Sequence, residues 1–298
     1  MKIRYKIGVA DEACKIGDFL KQQGYSKRNI LALKRYPEKI LVNGKWEFVN
    51  YTLKAGDELV IRLEEEVSST RIEPQDIPID IIYEDEDILV VNKPPFMPVH
   101  PTLNHEKGTL ANAVMHYYAK QGLEHVFRCM NRLDTNTSGL TIMAKHKYSG
   151  AKLGEAMRSR KIHREYRAIV WGDDLPDEGC INKPVGKKEG SAIERVVCKD
   201  GLEAITYYQV LHRIGGLAYI KLRLETGRTH QIRVHMKSIG YPLIGDDLYA
   251  PEHMLMDRQA LHSAKLVFEH PMTGREMVLE CPLPEDMKLC ILPIDDRI

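Results

Sequence analysis

From Ile77 onward the chain is a succession of short, strand-length apolar runs, and this pattern limits the fold more than any other feature. The runs are Ile79 to Tyr83, Ile88 to Val91, Leu140 to Met143, Tyr166 to Val170, Ile205 to Val210, Ala218 to Leu224 and Ala264 to Phe268. Helical patterns intervene near 109–120, 147–159 and 230–239. Strands outnumber helices, and neither strict strand–helix alternation nor a sequence repeat is visible. The expected class is α+β, built on a mixed, largely antiparallel sheet. Hydrophobic residues make up 43% of the 298, enough for a substantial core.

The segment before these runs has a different character. Residues 1–63 hold thirteen basic and seven acidic side chains, an excess of about six. The whole chain carries only +1, so the remainder is net acidic and any attraction to phosphate must be local. Ile16, Phe19 and Leu20 have helical spacing ahead of Gly24, a natural stop. Ser26 can cap a second helix with Ile30 and Leu33 on one face, and Lys27, Arg28, Lys34 and Arg35 lie on that helix. Ile40-Leu41-Val42 reads as a strand, Asn43-Gly44 as a hairpin turn and Leu59-Val60-Ile61 as the return strand. Two short helices followed by a small sheet are expected. The polar stretch 64–76 reads as a linker, giving domains at 1–63 and 77–298.

The mixed-charge start, MKIRYKIGVADEACK, is unlike a secretory signal. No run approaches the roughly 18 apolar residues of a membrane span. Cys14, Cys129, Cys180, Cys198, Cys281 and Cys290 include no Cys-x-x-Cys pair and read as reduced structural residues. A cytoplasmic location and no membrane partner are expected.

Two stretches carry chemistry. The first is Asn131-Arg132-Leu133-Asp134-Thr135-Asn136-Thr137-Ser138-Gly139-Leu140, which leads into a strand. Taken alone, Asp134 reads as a turn-capping carboxylate with Thr137 and Ser138 beside it. The second is Glu225 to His235, which follows a strand and begins a helix. Thr229 is a candidate cap, Ile232, Met236 and Ile239 form the buried face, and Gly240 ends the helix. A guanidinium from Arg228 or Arg233 beside a strand-end carboxylate would hold it ionised and oriented. His230 and His235 are five apart and fall on different helix faces, a poor metal pair.

Together these stretches resemble the RluA/RluD family of RNA pseudouridine synthases. The resemblance rests on Arg132-Leu133-Asp134 with Thr137-Ser138-Gly139-Leu140 and on Thr226 to His235. It extends through Tyr83-Glu84-Asp85, Asn92-Lys93-Pro94, His100-Pro101, Gly108-Thr109-Leu110, Arg164 to Ala168, Gly240 to Asp246 with Tyr249, Leu261 to Ala264, His270-Pro271 and Pro282-Leu283-Pro284. These fall in the family's order over about 77–287. The N-terminal segment resembles the S4-like RNA-binding module. By this resemblance Asp134 is the catalytic nucleophile and Arg132 fills the space left by a flipped uridine. Tyr166 stacks on the target base, and Arg233 pairs with Asp134. Arg228, His230, Lys27 and Arg28 are further candidates for contact with RNA. The reaction moves uracil from an N1–C1′ to a C5–C1′ bond, which requires no cofactor and no metal. The expected partner is RNA, ribosomal RNA of the large subunit first and transfer RNA second, bound by a monomer.

Five positions depart from the family pattern: Asn131, Thr135-Asn136, Arg164 and Phe96 stand where His, Arg-Asp, Lys and Gly are usual. None removes a residue assigned a chemical role. They motivate an alternative, a non-catalytic RNA-binding or ribosome-assembly factor on the same fold. A metal-dependent hydrolase is a more distant one, with no ligand-spaced cluster behind it.

Overall fold

In the computed structural model, which describes residues 2–25, 27–34, 36–62, 72–102, 105–252 and 255–291, the basic N-terminal segment forms its own four-stranded sheet. Strand β1 (Lys2–Lys6) is followed by helices α1 (Ile16–Gln22) and α2 (Lys27–Lys34), then by β2 (Ile40–Val42), β3 (Lys45–Trp46) and β4 (Glu58–Arg62). The sheet order is β1-β4-β2-β3, antiparallel throughout. Asn43 and Gly44 both have positive φ, 51° and 81°, as a two-residue hairpin turn requires. The expected arrangement needs correction in two respects. The sheet begins with β1, ahead of the helices, and the hairpin returns through β3. Leu59 to Ile61 lies in β4, which pairs with both β1 and β2. Strand β1 was hidden because its sequence, Lys-Ile-Arg-Tyr-Lys, buries only Ile3 fully. Ser26, Arg35, the Arg28 side chain and the first part of the expected linker lie outside the described residues.

The larger body is a nine-stranded sheet. Its elements are β5 (Asp80–Glu84), β6 (Ile88–Lys93), α3 (Leu110–Lys120), β7 (Ser138–Ala144), α4 (Lys147–Arg158), β8 (His163–Trp171), β9 (Glu178–Asn182), β10 (Val185–Lys187), β11 (Arg195–Val197), β12 (Ile205–Ile214), β13 (Leu217–Leu224), α5 (Gln231–Ser238), β14 (Leu261–Glu269), β15 (Glu276–Glu280) and α6 (Glu285–Ile291). The order is β5-β6-β7-β14-β8-β13-β12-β9, with β15 paired to β14. Only the β7–β14 pair is parallel, so the class is α+β with a mixed, largely antiparallel sheet. Strands β10 and β11 form a separate ribbon. All seven anticipated strands and three helices are present. The edge strands β9 and β15, short and half polar, carried too weak an alternation to be read.

Burial follows from the pattern. Strand β7 is buried at every residue, as befits a strand between two others and covered on both faces. Gly139 is needed there because a Cβ would collide with the Ser263 backbone of β14. Helix α3 starts at a capping box in which Thr109 and Asn112 bond reciprocally. Residues from Ile72 already pack on this body: Gln75 N–H donates to Asn112 O at 3.1 Å, and Asn112 Nδ2 to Glu73 O at 2.8 Å.

An aromatic side chain of the larger body is built into the core of the N-terminal sheet. Tyr148 of α4 is 1% exposed and belongs to the core of the N-terminal sheet. Its hydroxyl donates to Gln23 O at 2.6 Å, and its ring lies 4.2 Å from that of Tyr25. Tyr5 Oη reaches both Tyr25 and Tyr148 hydroxyls, at 3.2 and 3.4 Å. Among the described residues no helix is long and apolar enough to cross a membrane. Because a truncated aromatic leaves a cavity as well as a lost contact, Tyr148→Ala should cost about 3 kcal/mol. Amide exchange should quicken in α1 and β4 while α5 stays protected. Equal exchange in wild type and variant would deny Tyr148 this docking role.

Candidate active site

The Asp134 loop enters β7 from a cleft of about 910 Å³. An adjoining recess reaches Tyr166 on β8. Asp134, Arg132, Arg228, His230 and Arg233 line both spaces. Lys27 is exposed on α2 and lines neither.

The loop is held from several directions. Asn131 is buried and bridges its base: Nδ2 donates to Leu140 O at 3.0 Å, and Oδ1 accepts from Ile142 N at 2.8 Å. Lys93 is 0% exposed. Its ammonium donates to the carbonyls of Pro94, Met97 and Thr135 at 2.8, 2.9 and 3.0 Å. Burial pushes its pKa down to about 7, against the attraction of Asp134. Arg258, equally buried, donates to Asn136 O at 3.2 Å and makes a bidentate pair with Asp286 of α6. Gln259 Nε2 reaches Thr137 Oγ1 at 3.2 Å. Phe96, at the family's glycine position, has φ 59° and is 58% exposed; the next residue, Met97, donates to Thr135 O at 3.2 Å.

The reading of Asp134 as a turn cap does not hold for its carboxylate. Only its backbone carbonyl serves the turn, accepting from Thr137 N at 3.0 Å. The carboxylate faces Arg233, whose Nη1 lies 3.2 Å from Oδ2. The guanidinium's two-pronged bond goes to another carboxylate. Arg233 Nε and Nη2 each lie 2.7 Å from the oxygens of Asp246, which is 0% exposed. One guanidinium thus serves two carboxylates. Burial opposes its charge, but Asp246 and then Asp134 outweigh this and raise its pKa. Asp246 also accepts from Leu248 N and Tyr249 N. Its turn needs Gly245, at φ 68°, where a Cβ would collide with Arg258 O.

Helix α5 is not capped by Thr229. His230 occupies the N-cap in the left-handed region, with φ 56°. The side chain of Gln231 instead folds back, accepting from Arg228 N and from Thr226 Oγ1, both at 2.9 Å. Nor is Arg228 a partner of Asp134: its Nε donates to Glu203 O at 3.0 Å. His230 Nδ1 lies 2.8 Å from Tyr249 Oη, and its Nε2 lies 4.0 Å from Asp134 Oδ2. Burial, helped by Arg233 and Arg195 and opposed by Asp134, lowers its pKa. Tyr166 is 5% exposed, and burial raises its phenol pKa, so the ring is neutral near pH 7. Asp246, Lys93 and Tyr249 were visible only as motif members; their partners are tertiary facts without a local signature.

Among the described residues one group has metal-ligand geometry: Asp85, Asp87 and His270. None of the three lines the cleft. His270 Nδ1 accepts from Met272 N and Thr273 N, so Nε2 carries the hydrogen given to Asp85 at 2.8 Å. A nitrogen that carries a hydrogen has no lone pair for a metal, so the trio reads as a latch.

The model of the RNA pseudouridylate synthase family matches residues 87–238. An RNA pseudouridine synthase of Bacillus subtilis, YjbO, is 38% identical over 93% of this chain and 98% of its own length. Ribosomal large subunit pseudouridine synthase D of Escherichia coli K12 is 38% identical over 84% of this chain and 81% of its own. Among solved structures, human RNA pseudouridylate synthase domain containing 1 superposes with a TM-score of 0.60 at 22% identity, covering 77% of this chain and 95% of that one.

The shared guanidinium sets a stability expectation. Asp246→Ala leaves Arg233 buried with a single carboxylate, a loss of roughly 3–5 kcal/mol. Urea denaturation measures it; a loss under about 1 kcal/mol would mean that water satisfies the guanidinium instead.

Proposed function

The chain belongs to the RluA/RluD family of RNA pseudouridine synthases, isomerases that act on RNA, and from that premise we propose that it converts specific uridines of large-subunit ribosomal RNA to pseudouridine, with Asp134 as the reacting carboxylate. The observation that carries this reading is Asp134 itself, one quarter exposed at the wall of the cleft and hydrogen-bonded to a buried arginine. The likeness to ribosomal large subunit pseudouridine synthase D favours ribosomal RNA; transfer RNA is the second choice.

The residues suit the steps. A uridine inside a helix must leave its stack, at a cost of a few kcal/mol. Arg132, exposed at the cleft beside Asp134, is placed to enter the gap. Tyr166 offers a neutral ring at the base of the recess for the flipped uracil. Asp134 supplies the anionic oxygen for attack on the nucleotide. The N1–C1′ bond breaks, uracil turns in place, C5 bonds to C1′, the bond to Asp134 breaks to free the carboxylate, and the C5 proton is released while N1 gains one. Residues 1–63 serve as an S4-like RNA-binding domain, with Lys27 and Arg28 as candidate contacts to RNA.

Mapping pseudouridine in RNA from cells with and without the gene identifies the target. In the same assay Asp134→Asn should abolish modification yet bind RNA nearly as wild type, because phosphate contacts dominate affinity. Arg233→Lys should lose on the order of 100-fold in single-turnover rate, since an ammonium cannot reach Asp246 twice and Asp134 once. Substantial turnover by Asp134→Asn would sink the assignment. Replacing Lys27 and Lys34 with Ala should lower the slope of log affinity against log salt by about 1 to 2; an unchanged slope would make them a merely solvated face.

A further inference from the structure

Two donors point at the same oxygen of Asp134. Arg233 Nη1 lies 3.2 Å from Oδ2, and His230 Nε2 lies 4.0 Å from that atom. Among the described residues no side chain bonds to Oδ1. We propose that His230 is a positioning residue: a neutral imidazole, locked by Tyr249 with its hydrogen on Nε2, that closes on Oδ2 when RNA fills the cleft and so leaves Oδ1 as the reacting oxygen. The inference rests on the reading of Asp134 as the reacting carboxylate.

The hydrogens can be placed from the heavy atoms. Tyr249 is 4% exposed. Its oxygen accepts from the backbone N–H of Arg195 at 2.8 Å, so its own hydrogen needs an acceptor. Among the described residues the acceptor in reach is His230 Nδ1, at 2.8 Å. A neutral imidazole that accepts at Nδ1 carries its hydrogen at Nε2, the nitrogen that faces Asp134. At 4.0 Å the contact is open by about one ångström relative to a hydrogen bond. Donors in unliganded sites commonly tighten only around substrate.

The backbone supports a built arrangement. His230 holds φ 56° and ψ 17° at the first position before α5. A side chain with a Cβ adopts the left-handed region only at a cost, and such residues concentrate at functional sites. The conformation aims the ring back toward the Asp134 loop and lets Nδ1 meet Tyr249. Tyr249 is fixed in turn by the edge of its ring against His230, 5.6 Å between centroids, and by Arg233 over its face at 4.9 Å.

Neutrality matters to the role. The charged groups around the ring are Asp134 on its loop, Arg233 on α5, Arg195 on β11 and Asp246 on the turn before Tyr249. Burial and the two arginines favour the neutral form; the two carboxylates oppose it. A neutral donor orients the carboxylate without discharging it. An imidazolium would pair with Asp134 and make it a weaker nucleophile, so wild-type rate should fall as pH drops through the depressed pKa of His230.

The test uses the full-length enzyme in excess over total RNA from cells lacking the gene, which contains the unmodified target whatever its identity. Single-turnover pseudouridine formation is followed from about pH 5 to 8. His230→Ala should be slower by about 10- to 100-fold, the range for a lost hydrogen bond to a charged group, with RNA affinity unchanged. His230→Gln, whose amide N–H can replace Nε2–H, should recover most of the rate, and its acid limb should move to lower pH because nothing titrates there. Tyr249→Phe should lose rate while keeping an acid limb. A structural role alone would lower thermal midpoints without moving the limb, so a wild-type acid limb in His230→Gln overturns the inference, as does a wild-type rate for His230→Ala. Asp134→Asn run alongside separates the two readings. Turnover in that variant removes Asp134 as the reacting group. An inactive Asp134→Asn beside a fully active His230→Ala removes only the role given to His230.

Discussion

If Asp134 is the reacting carboxylate, as proposed, it has to be aimed and partly desolvated, and both conditions rest on one buried guanidinium. Arg233 divides its donors between two carboxylates, two to Asp246 and one to Asp134. The division is asymmetric for a physical reason. The bidentate pair with a fully buried partner fixes the plane of the guanidinium, and that plane fixes where the remaining Nη1 can point. Asp246 is therefore the anchor and Asp134 the cargo. The anchor needs its own support: the amides of Leu248 and Tyr249 and a left-handed glycine at 245 packed on the Arg258 backbone. Removing any link loosens the Nη1 contact without touching Asp134.

A second buried basic side chain, whose pKa burial pushes down to about 7, lies beside Asp134. Asp134 attracts the Lys93 amine, and Arg258 opposes it. Lys93 forms none of the ion pairs found among the described residues. Its three hydrogens go to three carbonyls, one of them Thr135 O, next to Asp134. Arg258 does the same for Asn136 O while tied to Asp286. Two basic side chains thus grip the main chain of the loop rather than its acid, holding the peptide planes and leaving the carboxylate's direction to Arg233. Helix α6, far along the sequence, contributes to the site through this grip.

How much of this was legible in the sequence depended on how local each interaction is. The strands of the large sheet announced themselves because their apolar runs are buried by their neighbours, and α3 carried a cap of its own. Asp134 and Arg233 were identified as a pair through motif order. Their geometry was not: the choice of Asp246 over Asp134 for the bidentate bond depends on a turn thirteen residues from Arg233. Thr229 looked like a cap because hydroxyls usually cap helices. Gln231, one position inside the helix, satisfies Arg228 N instead, which frees His230 to adopt a left-handed backbone. Strands β1, β9 and β15 escaped notice because edge strands with one wet face carry little alternation.

A basic segment on a loose tether would raise the local concentration of RNA near the cleft but would not fix which uridine arrives there. Tyr148 instead packs the basic segment against the larger body. It belongs to α4, whose first turn is capped by His146, which in turn donates to Asp87 at 2.8 Å beside the β5–β6 turn. From the other side it is part of the N-terminal core, bonded to Gln23 O and against Tyr25. The distance between α2 and Asp134 is therefore set by packed elements. If residues 1–63 hold RNA as proposed, a fixed span makes them a ruler: an RNA whose phosphates and target uridine do not match it can bind at one end or the other, but not at both.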